Sequence, residues 1–245
     1  MTTATILFAL AFYAATILLV GGLAYRIYEF ASTPAPLKIP TTPAPITRHG
    51  VALRMLREVG LFESLFKSNV GLWALGWLFH VTLLLVLLRH LRYFTEPVSS
   101  WVVWIQPFGI YAGMIMALAL AGLWVRRAIV SRVRYISTPS DHLMLALLLG
   151  IALSGLGLRY LAHTDIVAVK AFFLGLIAFD WQPLPAHLPL YAHLALVVLL
   201  MTIFAFSKLV HAPGVFFSPT RNQADTPREK RHVAPWIVEL ESGEG

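Results

Sequence analysis

Four histidines lie within apolar stretches of the sequence that otherwise suit a lipid environment. His80 and His90 are ten residues apart in LGWLFHVTLLLVLLRHLRYF, and His193 and His211 are eighteen residues apart in LYAHLALVVLLMTIFAFSKLVH. An imidazole in the hydrocarbon of a bilayer is costly, so its presence indicates a function. Four imidazoles on two helices can form two bis-imidazole sites, and b-type haem is the cofactor that most often uses such sites. These four residues are therefore the candidate axial ligands of two haem irons.

The composition indicates a protein that crosses a membrane several times. The chain has 245 residues, of which 58% are hydrophobic and 13% charged, and its mean hydropathy is +0.73. These values exclude a soluble globular protein and predict an all-α membrane fold. There is no cysteine, which excludes cysteine-ligated iron–sulfur clusters, covalent haem attachment, thiol catalysis and disulfides. A redox cofactor would be held by His or Met, or would be a diffusible quinone.

Five apolar stretches are long enough to cross a hydrocarbon core of about 30 Å. They cover approximately Thr5–Tyr25, Val70–Tyr93, Pro107–Val125, His142–Arg159 and Leu188–Val210. The shorter stretch Ala171–Phe179 is expected to be an interfacial or re-entrant piece. A signal peptide is the alternative for the first stretch, but that stretch has no basic n-region and no clear cleavage site.

The distribution of basic residues predicts the orientation in the membrane. Fifteen of the 19 Lys and Arg residues lie after the first stretch, between the third and fourth stretches, or in the C-terminal tail. The positive-inside rule then places the N-terminus outside and the C-terminus in the cytoplasm. The net charge of +7 follows this topology and does not indicate nucleic-acid binding. We expect a multi-pass protein of the cell inner (cytoplasmic) membrane, in contact with lipid.

The sequence predicts two regions along the chain. Residues 1–211 are expected to form a five-helix transmembrane cytochrome b domain, which includes a cytoplasmic segment at about residues 31–67. That segment begins with the proline-rich STPAPLKIPTTPAPI and continues into an amphipathic helix, which lies on the inner membrane surface or docks on a partner. Its apolar positions at helical spacing are Val51, Met55, Val59, Phe62 and Phe66. Residues 212–245 form a basic tail, interpreted as a partner-docking segment or, alternatively, as a solvated disordered one.

The predicted topology pairs the four histidines by depth. The second and fifth stretches run in opposite directions, so His80 matches His211 nearer the cytoplasm and His90 matches His193 nearer the outside. Eighteen residues make five helical turns and span ~27 Å, so His193 and His211 would share one face of a continuous helix. Ten residues span ~15 Å and fall about a quarter-turn short of three full turns. Tilt and crossing of the helices must absorb the difference.

The surroundings of the four histidines favour haem over a hydrated metal or a proton relay. Neither stretch contains an acidic residue, whereas both are rich in Leu, Val and Phe. Arg89, Arg92 and Lys208 lie at depths that suit haem propionates, with interfacial snorkelling as the alternative.

The five remaining histidines are weaker candidates. His187, only six residues before His193, is the most credible substitute ligand. His142 begins a helix that Ser140 or Asp141 can cap. The other three are expected in polar segments, on the inner side for His49 and His232 and on the outer side for His163.

The histidine spacings, five stretches and predicted topology resemble those of the gamma subunits of respiratory nitrate reductase. That resemblance implies a five-helix cytochrome b with two haems b, whose second and fifth helices supply the axial ligands. It assigns His80 and His211 to the inner haem and His90 and His193 to the outer one. Unlike those subunits, this chain has no Lys in TEPVSSWVVWIQPFGIY, where Trp101, Trp104, Gln106 and Tyr111 are the available residues.

Two segments carry a finer resemblance. LFKSNVGLWALGWLFH and FSPTRNQADTPREKRHVAPW are similar to the DsrM-type membrane cytochromes b of the DsrMKJOP complex of dissimilatory sulfur metabolism. This implies exchange of electrons with a quinone pool, either menaquinone or ubiquinone. It also implies a cytoplasmic DsrK-like iron–sulfur partner, together with DsrJ-, DsrO- and DsrP-like subunits.

The function predicted from the sequence is electron transfer within a membrane-bound, quinone-linked oxidoreductase complex. The quinone site is expected beside the outer haem, with Arg89, His90 and Gln106 as polar contacts. Two alternatives remain open. One is a true nitrate reductase gamma subunit, and the other is a haem-free membrane anchor or transporter whose histidines pack or relay protons.

Overall fold

The computed structural model describes residues 1–34, 40 and 43–225, and this part of the chain is helical without any strand. Short 3₁₀ segments at Leu91–Tyr93, Lys208–Val210 and Val215–Phe217 link some of the helices. The α-helices are α1 (Thr3–Ser32), α2 (Arg48–Leu61), α3 (Glu63–Ser68), α4 (Val70–His90), α5 (Ser100–Ile129), α6 (Ser131–Tyr135), α7 (Pro139–Tyr160), α8 (Ile166–Ala178), α9 (Leu188–Phe204), α10 (His211–Gly214) and α11 (Pro219–Asn222).

The chain divides into two compact units. The first comprises Met1–Gly22 and Leu65–Ser207, and the second comprises Leu23–Ser64 and the residues from Lys208 onward. Residues 35–39, 41 and 42 of the proline-rich connector and all of the tail after Asp225 lie outside the described residues, so the expected docking role of 226–245 stays a prediction. The domain boundary at residue 211 expected from the sequence stays a prediction; residues Lys208 to Val210, the end of the fifth apolar stretch, belong to the second unit.

Within the described residues, four helices are long and apolar enough to cross a membrane, namely α1, α4, α5 and α7. The number becomes five if Leu188–Phe204 and Lys208–Asn222 count as one broken span. Large apolar side chains such as Ile17, Leu84 and Leu118 are exposed along these helices. Such extensive apolar exposure is expected where lipid, not water, surrounds the helices.

The helices of the first unit pack in the order α4, α5, α7 and α9, each against the next. Phe79 of α4, Leu120 of α5 and Ala152 of α7 belong to one buried cluster. Glycines allow the backbones to approach closely, as is common between membrane helices. At Gly109 an added Cβ would lie 2.6 Å from Arg89 Cδ, so α4 and α5 contact each other tightly at this level.

Helix α8 is too short to cross a membrane, as the sequence predicted for Ala171–Phe179. It begins at Ile166 with Asp165 as N-cap and ends where Phe179 adopts the left-handed conformation. Phe172 is completely buried, and the core around it includes residues of α1 and α9. The hydroxyl of Tyr13 in α1 donates to the carbonyl of Leu176 at 2.8 Å, which ties α1 to α8.

The expectation that Leu188–Val210 is one continuous helix is wrong, because α9 ends at Phe204. The Ser207 hydroxyl donates to the Phe204 carbonyl at 2.9 Å, and the Ser207 N–H donates to the same oxygen at 3.2 Å. Such side-chain bonds compete with the helical pattern. His193 and His211 therefore do not share one helix, and the five-turn separation expected between them does not apply.

The third and fourth spans are longer than expected. Helix α5 begins at Ser100 and carries Pro107 in its interior, whereas the sequence interpretation began the span at that proline. Helix α7 begins with a capping box in which the carboxylate of Asp141 accepts from the Thr138 N–H at 3.0 Å. Asp141 thus contributes to the cap, as expected, but Thr138 is the N-cap residue. Arg127 of α5 pairs with the same carboxylate at 3.3 Å.

In the second unit, the start of the tail folds onto the amphipathic segment. Helix α2 has Thr47 as N-cap and ends at Phe62 in the left-handed conformation, so the predicted helix is interrupted before Phe66. Arg221 of α11 donates to the carboxylate of Glu58 at 2.6 Å and also contacts the hydroxyl of Ser64. These bonds hold the residues around α11 against α2.

Candidate functional site

Three of the four candidate axial histidines lie in the first unit. His80 is half-buried in α4, His90 is the exposed last residue of α4, and His193 is half-buried in α9. His211 is the exposed first residue of α10 and lies in the second unit.

All four imidazoles share one feature: the Nδ1 atom of each ring lies within hydrogen-bond distance of an oxygen atom. His80 Nδ1 lies 2.7 Å from the Gly76 carbonyl, and His90 Nδ1 lies 2.7 Å from the Val86 carbonyl, each one helical turn earlier. His211 Nδ1 lies 2.8 Å from the Lys208 carbonyl, in the preceding 3₁₀ segment. His193 Nδ1 has a side-chain partner instead, the hydroxyl of Ser154 in α7, at 2.9 Å.

These contacts determine which ring nitrogen can bind a metal. A carbonyl oxygen only accepts, so Nδ1 of His80, His90 and His211 must carry the proton. The neutral ring then has its lone pair on Nε2, the form in which an imidazole binds iron with its other nitrogen held by the protein. The donor chemistry of these histidines therefore fits the axial positions of haem.

The surroundings of His193 also favour the tautomer with the proton on Nδ1, but through a side chain instead of a carbonyl. The Ser154 hydroxyl donates its single proton to the Ile151 carbonyl at 3.1 Å. Its oxygen is then left to accept the Nδ1–H of His193. The neighbouring residue, Gly155, provides space for the ring, since an added Cβ would lie 3.2 Å from His193 Cε1.

His90 and His193 belong to different helices of the first unit but approach each other. Their imidazoles are close enough to interact electrostatically. Tyr93 lies beside His90, with the ring centroids 5.9 Å apart. Among the described residues no hydrogen bond involves Nε2 of either histidine.

His80 belongs to the first unit and His211 to the second. The ring of His80 contacts Phe79 edge-on, with 4.9 Å between the ring centroids. Lys208, expected near a propionate, begins the 3₁₀ segment before His211, and its carbonyl accepts from that imidazole. The pairing of these two histidines stays a prediction from the sequence.

A polar cluster of Arg89, Arg92 and Gln106 joins the end of α4 to the start of α5. Arg92 Nη1 donates to Gln106 Oε1 at 3.1 Å, and Gln106 Nε2 donates to the Arg89 carbonyl at 3.3 Å. The guanidinium of Arg92 also lies over the Tyr93 ring, 5.3 Å from its centroid. Arg159, at the end of α7, interacts electrostatically with Arg89 and adds a third cation to this region.

The other residues considered for a quinone site do not join this cluster. Trp101, Trp104 and Tyr111 are exposed on α5, whereas Gln106 is half-buried and bonded to α4. Gln106 is thus the predicted polar residue of this stretch that contacts the arginine-bearing end of α4.

The remaining histidines differ from the four candidates. Nδ1 of His142 accepts from the indole N–H of Trp124 at 3.1 Å, so its proton is on Nε2 and that nitrogen has no lone pair for iron. His187 contacts the hydroxyl of Thr164 at 3.1 Å and precedes α9 as its N-cap residue. His49 and His163 are exposed, and His232 lies outside the described residues.

The sequence interpretation missed Ser154, Gly155 and Arg159. Ser154 and Gly155 are a polar and a small residue within the apolar sequence of helix α7, and this pattern is the local signal by which they could have been predicted. Within the described residues no group of three or more His, Asp or Glu side chains is arranged to hold a metal ion. A haem needs only two axial imidazoles from the protein.

Comparison with known proteins gives consistent matches. The sequence profile of the nitrate reductase gamma subunit family matches residues 64–223. The chain is 38% identical to the Hdr-like menaquinol oxidoreductase cytochrome b-like subunit of Archaeoglobus fulgidus, with 91% of this chain and 81% of the relative covered. It is 36% identical to the protein of the same description from Archaeoglobus profundus, with 94% and 82% covered.

Proposed function

The chain belongs to the nitrate reductase gamma subunit family, and on this premise we propose that it is a cytochrome b-like, quinone-linked electron-transfer subunit of a membrane complex. The relatives described as menaquinol oxidoreductase subunits align over nearly its full length, which supports menaquinol as the electron donor or menaquinone as the electron acceptor. The observation that carries the proposal is the shared acceptor at Nδ1 of the four histidines, which leaves Nε2 as the iron-binding atom of each ring.

Two haems b are proposed, one held by His90 and His193 and the other by His80 and His211. A haem iron bound by two imidazoles accepts and releases one electron without changing its ligands. The first pair is supported by the proximity of the two rings within one unit. The second pair is what the resemblance to the family implies, and the same tautomer in both rings supports it.

The polar cluster is proposed to contact both a propionate and the quinone. Arg89 and Arg92 provide positive charge one to two residues from His90, where a haem edge would bring its carboxylates. Gln106 contributes an amide whose Nε2 can exchange its bond to the Arg89 carbonyl for one to a quinone oxygen. Lys208 is proposed to serve a propionate of the other haem.

The partner proposed for the cytoplasmic side is an iron–sulfur protein of the DsrK type, within a complex that also holds DsrJ-, DsrO- and DsrP-like subunits. The Hdr-like description of the relatives and the tail segment FSPTRNQAD support a DsrM-type subunit of sulfur metabolism over a nitrate reductase one. The tail residues around Arg221 are held on α2 by Glu58, which offers a folded surface for that partner. The excess of Lys and Arg in the same segments supports their cytoplasmic location.

Reduction by a quinol tests the proposed function. The chain is purified in detergent and mixed anaerobically with a menaquinol analogue, and the b-type α band is compared with that after dithionite. We expect the quinol to reduce a substantial part of the dithionite-reducible haem. A coloured protein that dithionite reduces but the quinol does not would contradict the quinone link. A colourless protein would contradict the cytochrome assignment and favour a haem-free anchor.

A further inference from the structure

We propose that Ser154 and Gly155 of α7 are positioning residues that set the orientation of His193 and lower the redox potential of the haem that His193 holds. This inference rests on the proposed function, because it concerns the haem bound by His90 and His193. Both residues act on the haem through the imidazole of His193 and not by direct contact.

His193 differs from the other three candidate ligands in the partner of its Nδ1. His80, His90 and His211 each donate Nδ1–H to a backbone carbonyl three or four residues earlier. Those acceptors are backbone carbonyls, so a substitution of the residue that carries the carbonyl would not remove them. His193 donates to Ser154, which lies 39 residues away in another helix. The Ile151 backbone also interacts with this imidazole, so the ring is oriented by groups of α7, and one of these groups, Ser154, is a replaceable side chain.

Ser154 is itself held in place by a hydrogen bond within α7. Its hydroxyl donates to the Ile151 carbonyl at 3.1 Å, so its oxygen presents lone pairs to His193. The chain of bonds from His193 to Ser154 to Ile151 is polarised in one direction. Bonds aligned in this way strengthen one another in a medium of low dielectric constant.

Gly155 lies close to the imidazole of His193. An added Cβ would lie 3.2 Å from Cε1, 3.8 Å from Nδ1 and 3.9 Å from Nε2 of His193, so the missing side chain lies over one edge of the ring. The contact to Cε1 is tighter than an ordinary van der Waals contact and would require the ring to shift by a few tenths of an ångström. Ser154 thus holds the ring by a hydrogen bond, while Gly155 leaves the space in which it is held.

The sign of the effect follows from charge. The ferric iron withdraws more electron density from its imidazole than the ferrous iron does, so the Nδ1–H becomes a stronger donor in the oxidised state. A hydrogen bond to Ser154 therefore stabilises the oxidised state more, and raises the basicity of the ligand. Removal of the hydroxyl should raise the potential of this haem and leave the other haem unchanged.

The test is an optical redox titration of the purified chain with Ser154→Ala, Ser154→Thr and Gly155→Ala, together with electron paramagnetic resonance of the ferric haems. Thr202→Ala is the matched control, because Thr202 Oγ1 donates to the Val198 carbonyl of its own helix at 2.9 Å. For Ser154→Ala we expect the oxidised-to-reduced ratio of one haem to fall by up to about tenfold at fixed ambient potential, equivalent to a rise of about 59 mV for a one-electron couple. Ser154→Thr keeps the hydroxyl and should keep the wild-type potential, as should Thr202→Ala.

The outcomes separate the proposed role of Ser154 and Gly155 from the proposed function of the chain. Two haems in the wild-type chain, with one potential or one resonance signal changed in Ser154→Ala, support the inference. Two haems with both potentials unchanged in Ser154→Ala overturn it and leave the proposed function intact. If Ser154→Ala does not accumulate with haem, Gly155→Ala decides, since an unchanged resonance spectrum there overturns the inference. A wild-type chain without haem overturns both.

Discussion

The contact between Gly109 of α5 and Arg89 of α4 makes a quantitative prediction about the fold. A Cβ added at Gly109 would lie 2.6 Å from Arg89 Cδ and 2.9 Å from Arg89 Cβ. Cδ can move by rotation of the side chain, but Cβ moves only with the backbone of α4. To reach an ordinary contact of 3.4 Å, the two helices must separate locally by about 0.5 Å.

We therefore expect Gly109→Ala to destabilise the first unit. Inserting a methyl group into a tight contact costs about 1–3 kcal/mol. Alanine in a helix gains about 0.5–1 kcal/mol over glycine, which partly offsets that cost. Gly157→Ala in α7 is the matched control, because nothing lies within 4 Å of its added Cβ and only the gain applies. The difference between the two variants thus isolates the overpacking cost.

The measurement is the free energy of unfolding in mixed micelles, with the loss of helical circular dichroism followed as SDS is added. The account predicts that Gly109→Ala unfolds at lower SDS than the wild-type chain and Gly157→Ala at equal or higher SDS. The Arg89 carbonyl accepts from Gln106 at 3.3 Å, so the same variant should also weaken binding of a quinol analogue. If both alanine variants unfold alike, α4 and α5 do not approach at this level and the described polar cluster is incorrect.

Three further predictions concern the histidines, the quinone contact and the helix cap. Haem analysis should find one haem fewer in His90→Ala and in His193→Ala. It should find the full number in His142→Ala, since Nδ1 of His142 accepts from Trp124. Equal loss in all three variants would contradict the assignment of Nε2 as the iron-binding atom. Gln106→Leu should keep both haems and lower the rate of reduction by a menaquinol analogue at least several-fold, because the amide bonded to Arg92 is lost; an unchanged rate at subsaturating quinol would exclude this residue from the quinone site. Asp141→Ala should destabilise the chain by about 2 kcal/mol in the same SDS titration, because it removes the capping box at Thr138 and the partner of the partly exposed Arg127. Ser140 is exposed, so Ser140→Ala should have little effect. Equal stability of the two variants would argue against the cap.

The long apolar helices could be predicted from the sequence because length and composition alone decide them. Asn69 caps α4 through its side chain, and the predicted second span begins at the next residue, Val70. The start of α5 was missed because Pro107 reads as a helix start, although the helix runs through it from Ser100. The end of α9 at Phe204 was missed because the apolar pattern continues beyond it. The bond from Ser207 to the Phe204 carbonyl, which accompanies the break, has no signature in hydropathy.

The candidate ligands could be named from the sequence, because four histidines in apolar segments are rare enough to stand out. Only some of the hydrogen-bond partners of Nδ1 could be predicted from the sequence. Three of them are carbonyls of the preceding turn and follow from helical geometry. The partner of His193 could not be predicted, because it depends on how α7 packs against α9. The same is true of Arg159, whose approach to Arg89 is a consequence of tertiary structure.

The haem content of the purified chain tests the central claim most directly. Haem is extracted as its pyridine complex from a sample whose protein concentration is fixed by quantitative amino-acid analysis. The account predicts two non-covalently bound haems b per chain, with the absorption of low-spin iron bound by two imidazoles. A ratio near zero, or a ratio that stays at two when His90 and His193 are both replaced by alanine, would contradict it.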